Sequence, residues 1–181
     1  MSLIFMAGIH GVGKSFLGSK ISKSLGISHF TASQLIYEEM GRLSWNNQKK
    51  TDDLNANQMA LIRAIEHKRL NNQNLLIDGH FVLHDSSGAL IPVGQNIFEL
   101  MRLSGVILLT DDAITIQDRI KIRDGVKKEI EEISKMADAE YHHAQTICQK
   151  IKLPLLVLNK PTETSASQAV SKLLNTPMIK V

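Results

Sequence analysis

The segment Gly8-Ile-His-Gly-Val-Gly-Lys14-Ser15 carries phosphate-binding residue types at the spacing G-x-x-x-x-G-K-[ST]. Glycines let the backbone curl until successive N–H groups point at phosphate oxygens, and a helix that follows presents its positive end to the same anion. We expect Lys14 to reach the β- and γ-phosphates of a nucleotide and the Ser15 hydroxyl to bind Mg²⁺. The alternative is a glycine-rich turn that binds nothing.

A second candidate group is the carboxylate of Asp78, which ends the apolar run Leu75-Leu-Ile77. Ligands of open parallel sheets bind beyond the carboxyl ends of the strands, so Asp78 would lie beside the glycine loop if its strand neighbours the first. There a carboxylate can bind Mg²⁺ through water or orient the attacking group. The alternative is an aspartate that caps a turn. His80 either contacts the acceptor or packs in the interior.

Two arginines, Arg119 and Arg123, stand four residues apart and therefore on one face of a predicted helix. Guanidinium groups are the usual stabilisers of the negative charge that spreads over a migrating phosphoryl group. The alternative is a solvated face with surface pairs such as Arg123–Asp124. Weaker candidates for binding an acceptor phosphate are Arg42, Arg63 and Arg102. Of these three, Arg63 is expected to be merely exposed.

Three histidines suggest less chemistry. His10 occupies a free position of the phosphate pattern, and we expect it to face solvent or to pack beside the loop. His142 and His143 are adjacent on a predicted helix, where neighbouring side chains point about 100° apart and cannot easily share a metal. We interpret both as exposed helix residues.

The elements that must position these groups follow from an alternation of apolar runs with helical spacing. Strands are predicted over residues 3–6, 27–31, 75–77, 106–109 and 155–158, and helices over 16–25, 52–70, 112–124, 126–150 and 165–174. Near-continuous apolar strands separated by helices predict the α/β class, with a parallel sheet covered on both faces. Gly26 is expected to end the first helix, and Asp111 or Asp112 to cap the one after the fourth strand. A turn signal at Asp85–Gly88 predicts a small hairpin or surface loop within residues 81–94.

Length and composition limit the classes of protein to which the chain can belong. The 181 residues, with 43% hydrophobic and 22% charged side chains, fit one soluble domain. A net charge of +3 suits anionic ligands, but the basic clusters are too short to favour nucleic acid. Cys148 is the one cysteine, which excludes an intrachain disulfide and a cysteine-based metal site. No apolar run is long enough for a membrane span, and no signal-peptide pattern is present, so we expect a cytoplasmic protein.

The order of these motifs resembles the adenylate kinase group of P-loop nucleoside monophosphate kinases, and most of all the archaeal-type adenylate kinases. The phosphate loop is followed by a strand "LLIDGH" and a helix "LLTDDAITIQDRIKIRD". The segments "EEMGRLSWNNQKK" and "FVLHDSSGALIPVG" are similar in order and spacing as well. The resemblance covers nearly the whole chain. The phosphate loop is highly specific for the superfamily, and the other segments are moderately specific for the subgroup.

The resemblance implies the P-loop NTPase fold, with a five-stranded parallel sheet flanked by helices in a single domain over residues 1–181. It implies a small acceptor-binding helical region at about 33–70 and a short lid at about 119–128. ATP and Mg²⁺ would be the cofactors. Lys14, Asp78, Arg119 and Arg123 would be catalytic, and Ser15 and Asp78 would hold the metal. Nucleotide binding would fall to Gly8, His10, Gly11, Val12, Gly13, Lys14, Ser15, Phe16, Arg119, Asn159 and Pro161.

Two departures leave the acceptor open. The lid is short, because Arg123-Asp124 runs almost directly into the helical stretch 126–150. His80-Phe-Val82 stands where bacterial-type adenylate kinases place a proline–arginine pair that grips the acceptor.

Three interpretations therefore remain. The first is a kinase that transfers the γ-phosphate of MgATP to AMP or a related monophosphate. The second is a P-loop kinase of another small metabolite, with the same donor site. The third is a nucleotide-binding regulator, since Asn159-Lys-Pro-Thr162 begins like a guanine-reading motif but lacks its aspartate. The partner in the first two is a small-molecule substrate, and the oligomeric state stays open.

Overall fold

The computed structural model describes residues 1–41, 54–70, 74–85 and 87–175. Strands and helices alternate through these residues. In chain order they are β1 (Leu3–Ala7), α1 (Lys14–Leu25), β2 (Ser28–Thr31), α2 (Ala32–Met40), α3 (Leu54–Arg69), β3 (Leu75–Asp78), β4 (Val82–His84), β5 (Leu90–Pro92), α4 (Gln95–Met101), β6 (Gly105–Thr110), α5 (Ala113–Asp124), α6 (Ile130–Lys150), β7 (Leu155–Asn159) and α7 (Glu163–Asn175). Arg42 and the stretch 42–53 of the expected acceptor region lie outside the described residues.

Five strands form one parallel sheet in the order β2-β3-β1-β6-β7. The register pairs Asp78 with Met6 on β1 and with Thr31 on β2. The predicted α/β class, the five-stranded parallel sheet and the P-loop NTPase fold are confirmed. Because β3 neighbours β1, the end of β3 and the loop after β1 meet at the same edge of the sheet.

The core lies on both faces of the sheet, which is why the strands are nearly continuous apolar runs. Alternate residues of β1 serve the two faces: Phe5 packs with α3, α4 and α6, whereas Ile4 and Met6 pack with α1, α5 and α7. On the first face Phe5, Phe81 and Phe98 form an aromatic cluster, in which the latter two rings stack with centroids 4.2 Å apart. This rigid packing fixes the chain just after β3.

The helix boundaries differ from the predictions at several ends. α1 begins at Lys14 rather than residue 16, directly at the phosphate loop. α6 begins at Ile130 rather than residue 126, because Gly125 ends α5 in a left-handed conformation and Glu129 is the next N-cap. Two short helices, α2 and α4, were not predicted individually. They span 9 and 7 residues, too few for a clear helical period.

The predicted hairpin is present as β4 paired antiparallel with β5. Its turn is held by Asp85, whose Oδ1 accepts hydrogen bonds from the N–H groups of Ser87 and Ala89, both at 2.8 Å. The hairpin comes shortly after the Asp78-Gly-His80 segment in the chain. Because β4 contacts α6, the hairpin lies against this long helix. None of the helices in the described ranges has the length and apolar character needed to cross a membrane.

Candidate active site

The loop between β1 and α1 has the curled backbone that the glycine pattern predicts. Gly8, Gly11 and Gly13 have φ angles of 141°, 85° and 107°, a region that other residues rarely adopt. A Cβ atom on Gly8 would also lie 2.7 Å from the carbonyl oxygen of Leu109 on β6. Glycine is therefore required there both for its φ angle and for the close approach of the two strands. The N-terminus of α1 opens directly onto the loop.

Lys14 is drawn into this loop and is 8% exposed. Its Nζ atom donates hydrogen bonds to the carbonyl oxygens of Gly8 at 2.6 Å and Ile9 at 3.2 Å. Burial lowers the pKa of Lys14 from 10.5 to about 8, and the carboxylates of Asp78 and Glu140 oppose this shift. A phosphate group beside Nζ would favour the charged form, so the site is suited to an anion.

Asp78 lies at the end of β3 and is 4% exposed. Its Oδ2 atom is 2.9 Å from Nε2 of His29 on β2. Sequence reasoning missed His29. Its ring packs against α1 at Gly18, where a Cβ atom would lie 2.3 Å from Nε2. The sequence feature that could have pointed to His29 is Gly18, a glycine inside a predicted helix. Glycine destabilises a helix interior, so its presence there indicates that another group occupies the space beside it.

His80, which follows β3, borders Lys14. Its Nε2 atom is 3.4 Å from Nζ of Lys14. An ammonium group only donates, so Nε2 can accept from Lys14 only in the tautomer that carries the proton on Nδ1. Burial, followed by the charge of Lys14, holds the pKa of His80 well below its usual range. Within the described ranges Nδ1 of His80 is a buried atom that finds no hydrogen-bond partner.

Both arginines of α5 reach the phosphate loop. Arg119 donates from Nη1 to the carbonyl oxygen of Val12 at 3.1 Å and pairs through Nη2 with Asp111 at 2.9 Å. Arg123 contacts the ring of His10 and pairs with the carboxylate of Asp124, 2.8 Å from Nε to Oδ1. His10 therefore lies beside the loop, which is one of the two positions expected for it. A catalytic role for either arginine stays a prediction.

The segment after β7 lies next to the end of β6. The N–H of Lys160 donates to the carbonyl oxygen of Thr110 at 2.8 Å, and Asn159 accepts from the Thr110 hydroxyl at 3.3 Å. The expected cap of α5 by an aspartate is only half right. Asp112 is the N-cap residue, but its side chain makes no capping hydrogen bond and pairs instead with Lys160. The cation of Lys160 attracts this exposed carboxylate away from the helix end.

The remaining nucleotide candidates, Ser15 and Phe16, lie in the first turn of α1, and both are exposed. Phe16 is 68% exposed, with the ammonium of Lys20 near its ring. Their positions leave both side chains accessible at the mouth of the loop. Contact with a metal or a nucleotide base stays a prediction for them, as it does for Asn159 and Pro161.

Glu140, on α6, is a buried carboxylate that sequence reasoning missed. It is 1% exposed and accepts hydrogen bonds from three backbone N–H groups, those of Gly8, Phe81 and Val82. Burial raises its pKa, while the N–H donors act in the opposite direction. The sequence could have indicated a buried Glu140, because residue 140 lies seven positions after the buried Ile133, on the same face of the helix. A carboxylate buried there must find hydrogen-bond partners.

Other candidates lie away from the loop. Arg63 is exposed, as expected, and pairs with Glu39. The interpretation of both adjacent histidines as exposed is wrong for His143: its Nε2 donates to the carbonyl oxygen of Val93 at 2.8 Å, and its ring meets Phe81 edge-on. The helix turns this side chain toward the hairpin while His142 faces solvent.

The phosphate loop, both arginines and the end of β3 all fall within a family match. Residues 7–137, more than half of the 181, match the family described as AAA domain. The chain belongs to this AAA domain family. No curated protein is significantly similar in sequence.

Solved structures share the fold of this AAA domain protein at low sequence identity. A shikimate kinase from Acinetobacter baumannii in complex with shikimate has a TM-score of 0.62 and 12% identity, over 99% of this chain and 96% of that one. A gluconokinase from Sinorhizobium meliloti 1021 has a TM-score of 0.58 and 14% identity, over 96% and 91%. A shikimate kinase from Bacteroides thetaiotaomicron has a TM-score of 0.58 and 17% identity, over 97% and 99%. These similarities concern the fold.

Proposed function

We propose that the protein is an ATP-dependent kinase that transfers the γ-phosphoryl group of MgATP to a hydroxyl group of a small metabolite. The observation that carries this proposal is a buried carboxylate, Asp78, placed at the same sheet edge as Lys14 and the phosphate loop. Its charge acts on Lys14, and His29 holds its Oδ2 atom at 2.9 Å. A phosphoryl donor site and a candidate base thus face one another.

On the donor side, the curled backbone of residues 8–13 supplies N–H groups to the polyphosphate, and Lys14 neutralises charge on its β- and γ-groups. Arg119 is the second cation, since it already bonds the loop at Val12. The Ser15 hydroxyl is a hard oxygen donor, which suits Mg²⁺, an ion that uses few protein ligands alongside phosphate and water, and Asp78 would reach that ion only through a bound water. When bound, Mg²⁺ would neutralise charge between the β- and γ-phosphates.

On the acceptor side, Asp78 would accept the proton of the attacking hydroxyl. A hydroxyl group must lose a proton when it is phosphorylated, so a buried carboxylate at this point has a chemical task. His29 fixes the carboxylate by bonding one oxygen and leaves the other oxygen for the acceptor. A monophosphate acceptor, being already an anion, needs cations rather than a base.

The arginines of the described acceptor side do not offer a monophosphate such cations. Arg63 pairs with Glu39, and Arg69 pairs with Glu66 and donates to the carbonyl oxygens of Met101 and Arg102. Kinases named for shikimate and gluconate share the fold, which further supports a metabolite hydroxyl. AMP or a related monophosphate is the competing acceptor class, and the test below separates the two.

Within a single domain over residues 1–181, we assign the acceptor to the side formed by α2 and α3, in the region 33–70. The short lid corresponds to residues 119–128, the end of α5 and the connection that follows. Both assignments rest on the position of these elements around Asp78 and Arg119.

The test is a screen for ADP formation with MgATP and two acceptor panels, one of hydroxylated metabolites and one of nucleoside monophosphates. Lys14→Met is the matched control, because any rate that survives it comes from a contaminant. We expect acceptor-dependent ADP formation with at least one hydroxyl compound and none with the monophosphates. Turnover with the monophosphates alone would move the assignment to the adenylate kinase type. A clear preference for GTP without any acceptor would favour a regulatory switch.

A further inference from the structure

The buried carboxylate of Glu140 joins two parts of the site that belong to distant stretches of the chain. Its Oε1 accepts from the N–H of Gly8 at 3.0 Å. Its Oε2 accepts from the N–H groups of Phe81 at 2.8 Å and Val82 at 2.7 Å. One side chain on α6 therefore holds both the first residue of the phosphate loop and the chain just beyond His80.

At one end of this link, Gly8 belongs to the phosphate loop and contacts Lys14. The carbonyl oxygen of Gly8 accepts from Nζ of Lys14 at 2.6 Å, while its N–H is held by Glu140. A change in the position of Lys14 on nucleotide binding would therefore act on the same peptide segment that Glu140 holds.

The other end of the link lies on the acceptor side. Phe81 and Val82 follow the segment Asp78-Gly-His80, which carries the candidate base and the histidine beside Lys14. The Phe81 carbonyl accepts from the N–H of Val93, and its ring stacks on Phe98, so this segment is rigid at its far end. Because this far end is held, a displacement of the Glu140 carboxylate would move the part of the segment that lies closer to Asp78.

We propose that Glu140 is a positioning residue that couples the phosphate loop to residues 79–82, so that a nucleotide bound in the loop orders the acceptor side of the site. The coupling is reciprocal, since an acceptor that orders residues 79–82 must tighten nucleotide binding by the same factor. This inference rests on nucleotide binding by the loop and is independent of which acceptor is used.

The geometry favours coupling over a purely local role in stability, and the experiment below separates the two. A carboxylate that served only to fill a polar position in the core would need one set of donors. Glu140 instead divides its two oxygens between donors that are 73 and 74 residues apart in sequence, counted from Gly8 to Phe81 and Val82. A glutamine cannot reproduce this, because its single oxygen accepts while its NH₂ group would face an N–H donor.

The test is amide hydrogen exchange, resolved at Phe81 and Val82, with and without the non-hydrolysable analogue MgAMP-PNP. In the unaltered protein we expect the analogue to slow exchange of these two amides by about tenfold or more, a typical allosteric factor. In Glu140→Gln the analogue should still bind, but this slowing should be lost. Asp138→Asn is the matched control, because it removes an exposed carboxylate from the same helix and should leave the response unchanged.

Amides of β7 serve as an internal reference for any change in global stability. If Glu140→Gln does not fold, Glu140→Asp decides the question, since it keeps the charge but is one methylene too short to bridge both ends. The inference is overturned if the analogue leaves the two amides unaffected in the unaltered protein, or protects them equally in the folded variants. Neither result depends on finding an acceptor, so a failure of the kinase assignment would be seen separately, in the ADP screen.

Discussion

The Nε2 atom of His29 lies 2.9 Å from the Oδ2 atom of Asp78, and both side chains are largely buried at the edge of the sheet. The pair joins β2 to β3 beside the phosphate loop, with α1 covering the histidine ring at Gly18. The orientation of the candidate base is therefore set by a helix residue that has no polar side chain of its own.

Replacement of Gly18 by alanine tests this dependence. An alanine inside a helix ordinarily stabilises it by about 1 kcal/mol relative to glycine. Here the added Cβ would lie 2.3 Å from Nε2 of His29, so the ring must move away from Asp78. We expect kcat to fall by about tenfold or more and the NMR signals of the His29 ring to shift. Ser19→Ala, at an exposed position of the same helix, is the control, and equal activity in the two variants would argue against the pair.

The Asp78→Asn variant examines general-base catalysis. Loss of a positioned base typically costs about 10²–10⁴ in rate. We expect kcat to fall within that range, while calorimetric affinity for MgAMP-PNP changes much less, because Lys14 and the loop backbone remain. A rate within a few-fold of the unaltered protein would exclude Asp78 as the base.

Arg119→Ala should slow phosphoryl transfer more than it weakens nucleotide binding. The guanidinium is tied to Val12 and Asp111. In the proposed reaction it would stabilise charge that develops only during transfer. Comparison of kcat with the dissociation constant of MgAMP-PNP measures the two effects separately. Arg123→Ala is the parallel variant, since Arg123 contacts His10 instead. An unchanged rate for Arg119→Ala would remove that residue from the catalytic set.

Lys14 gives the nucleotide-free protein a characteristic dependence of stability on pH. Burial lowers the pKa of Lys14 from 10.5 to about 8, so between these values the unfolded chain binds more protons than the folded one. The free energy of unfolding should therefore rise with pH through this window, by an amount of order 1–3 kcal/mol from this group.

Urea unfolding of the unaltered protein and of Lys14→Met at pH 7.5 and pH 10 provides the measurement. The other titrating groups are common to both proteins, so the difference between their pH slopes reports the loss of Lys14 together with its effect on Glu140 and His80. Parallel slopes would show that the ammonium is not buried in the way that the Gly8 and Ile9 contacts indicate.

The sequence alone predicted the features of the fold and the site that depend on local residue patterns. The phosphate loop has a fixed spacing, and the parallel sheet follows from apolar runs separated by helices, so Lys14 and the end of β3 could be placed in advance. The boundary of α6 was wrong because the chain after Gly125 has apolar residues at helical spacing without forming a helix.

His29 and Glu140 depend on distant partners and were missed. The partner of His29 is 49 residues away, and one partner of Glu140 is 132 residues away. No local period reports such pairs, although Gly18 within a helix and a carboxylate on the buried face of α6 mark where partners are needed. The ion pair of Arg63 was equally beyond local pattern, because its contact with Glu39 is a tertiary one, although its exposure was expected.

Phosphorus-31 NMR of the reaction of MgATP with the best acceptor from the screen tests the central claim most directly, because it identifies the bond that is formed. We predict a new phosphate monoester signal that grows in step with ADP and is absent with Lys14→Met. The appearance of inorganic phosphate alone, or of nucleoside diphosphate signals formed from a monophosphate acceptor, would contradict a kinase that phosphorylates a metabolite hydroxyl.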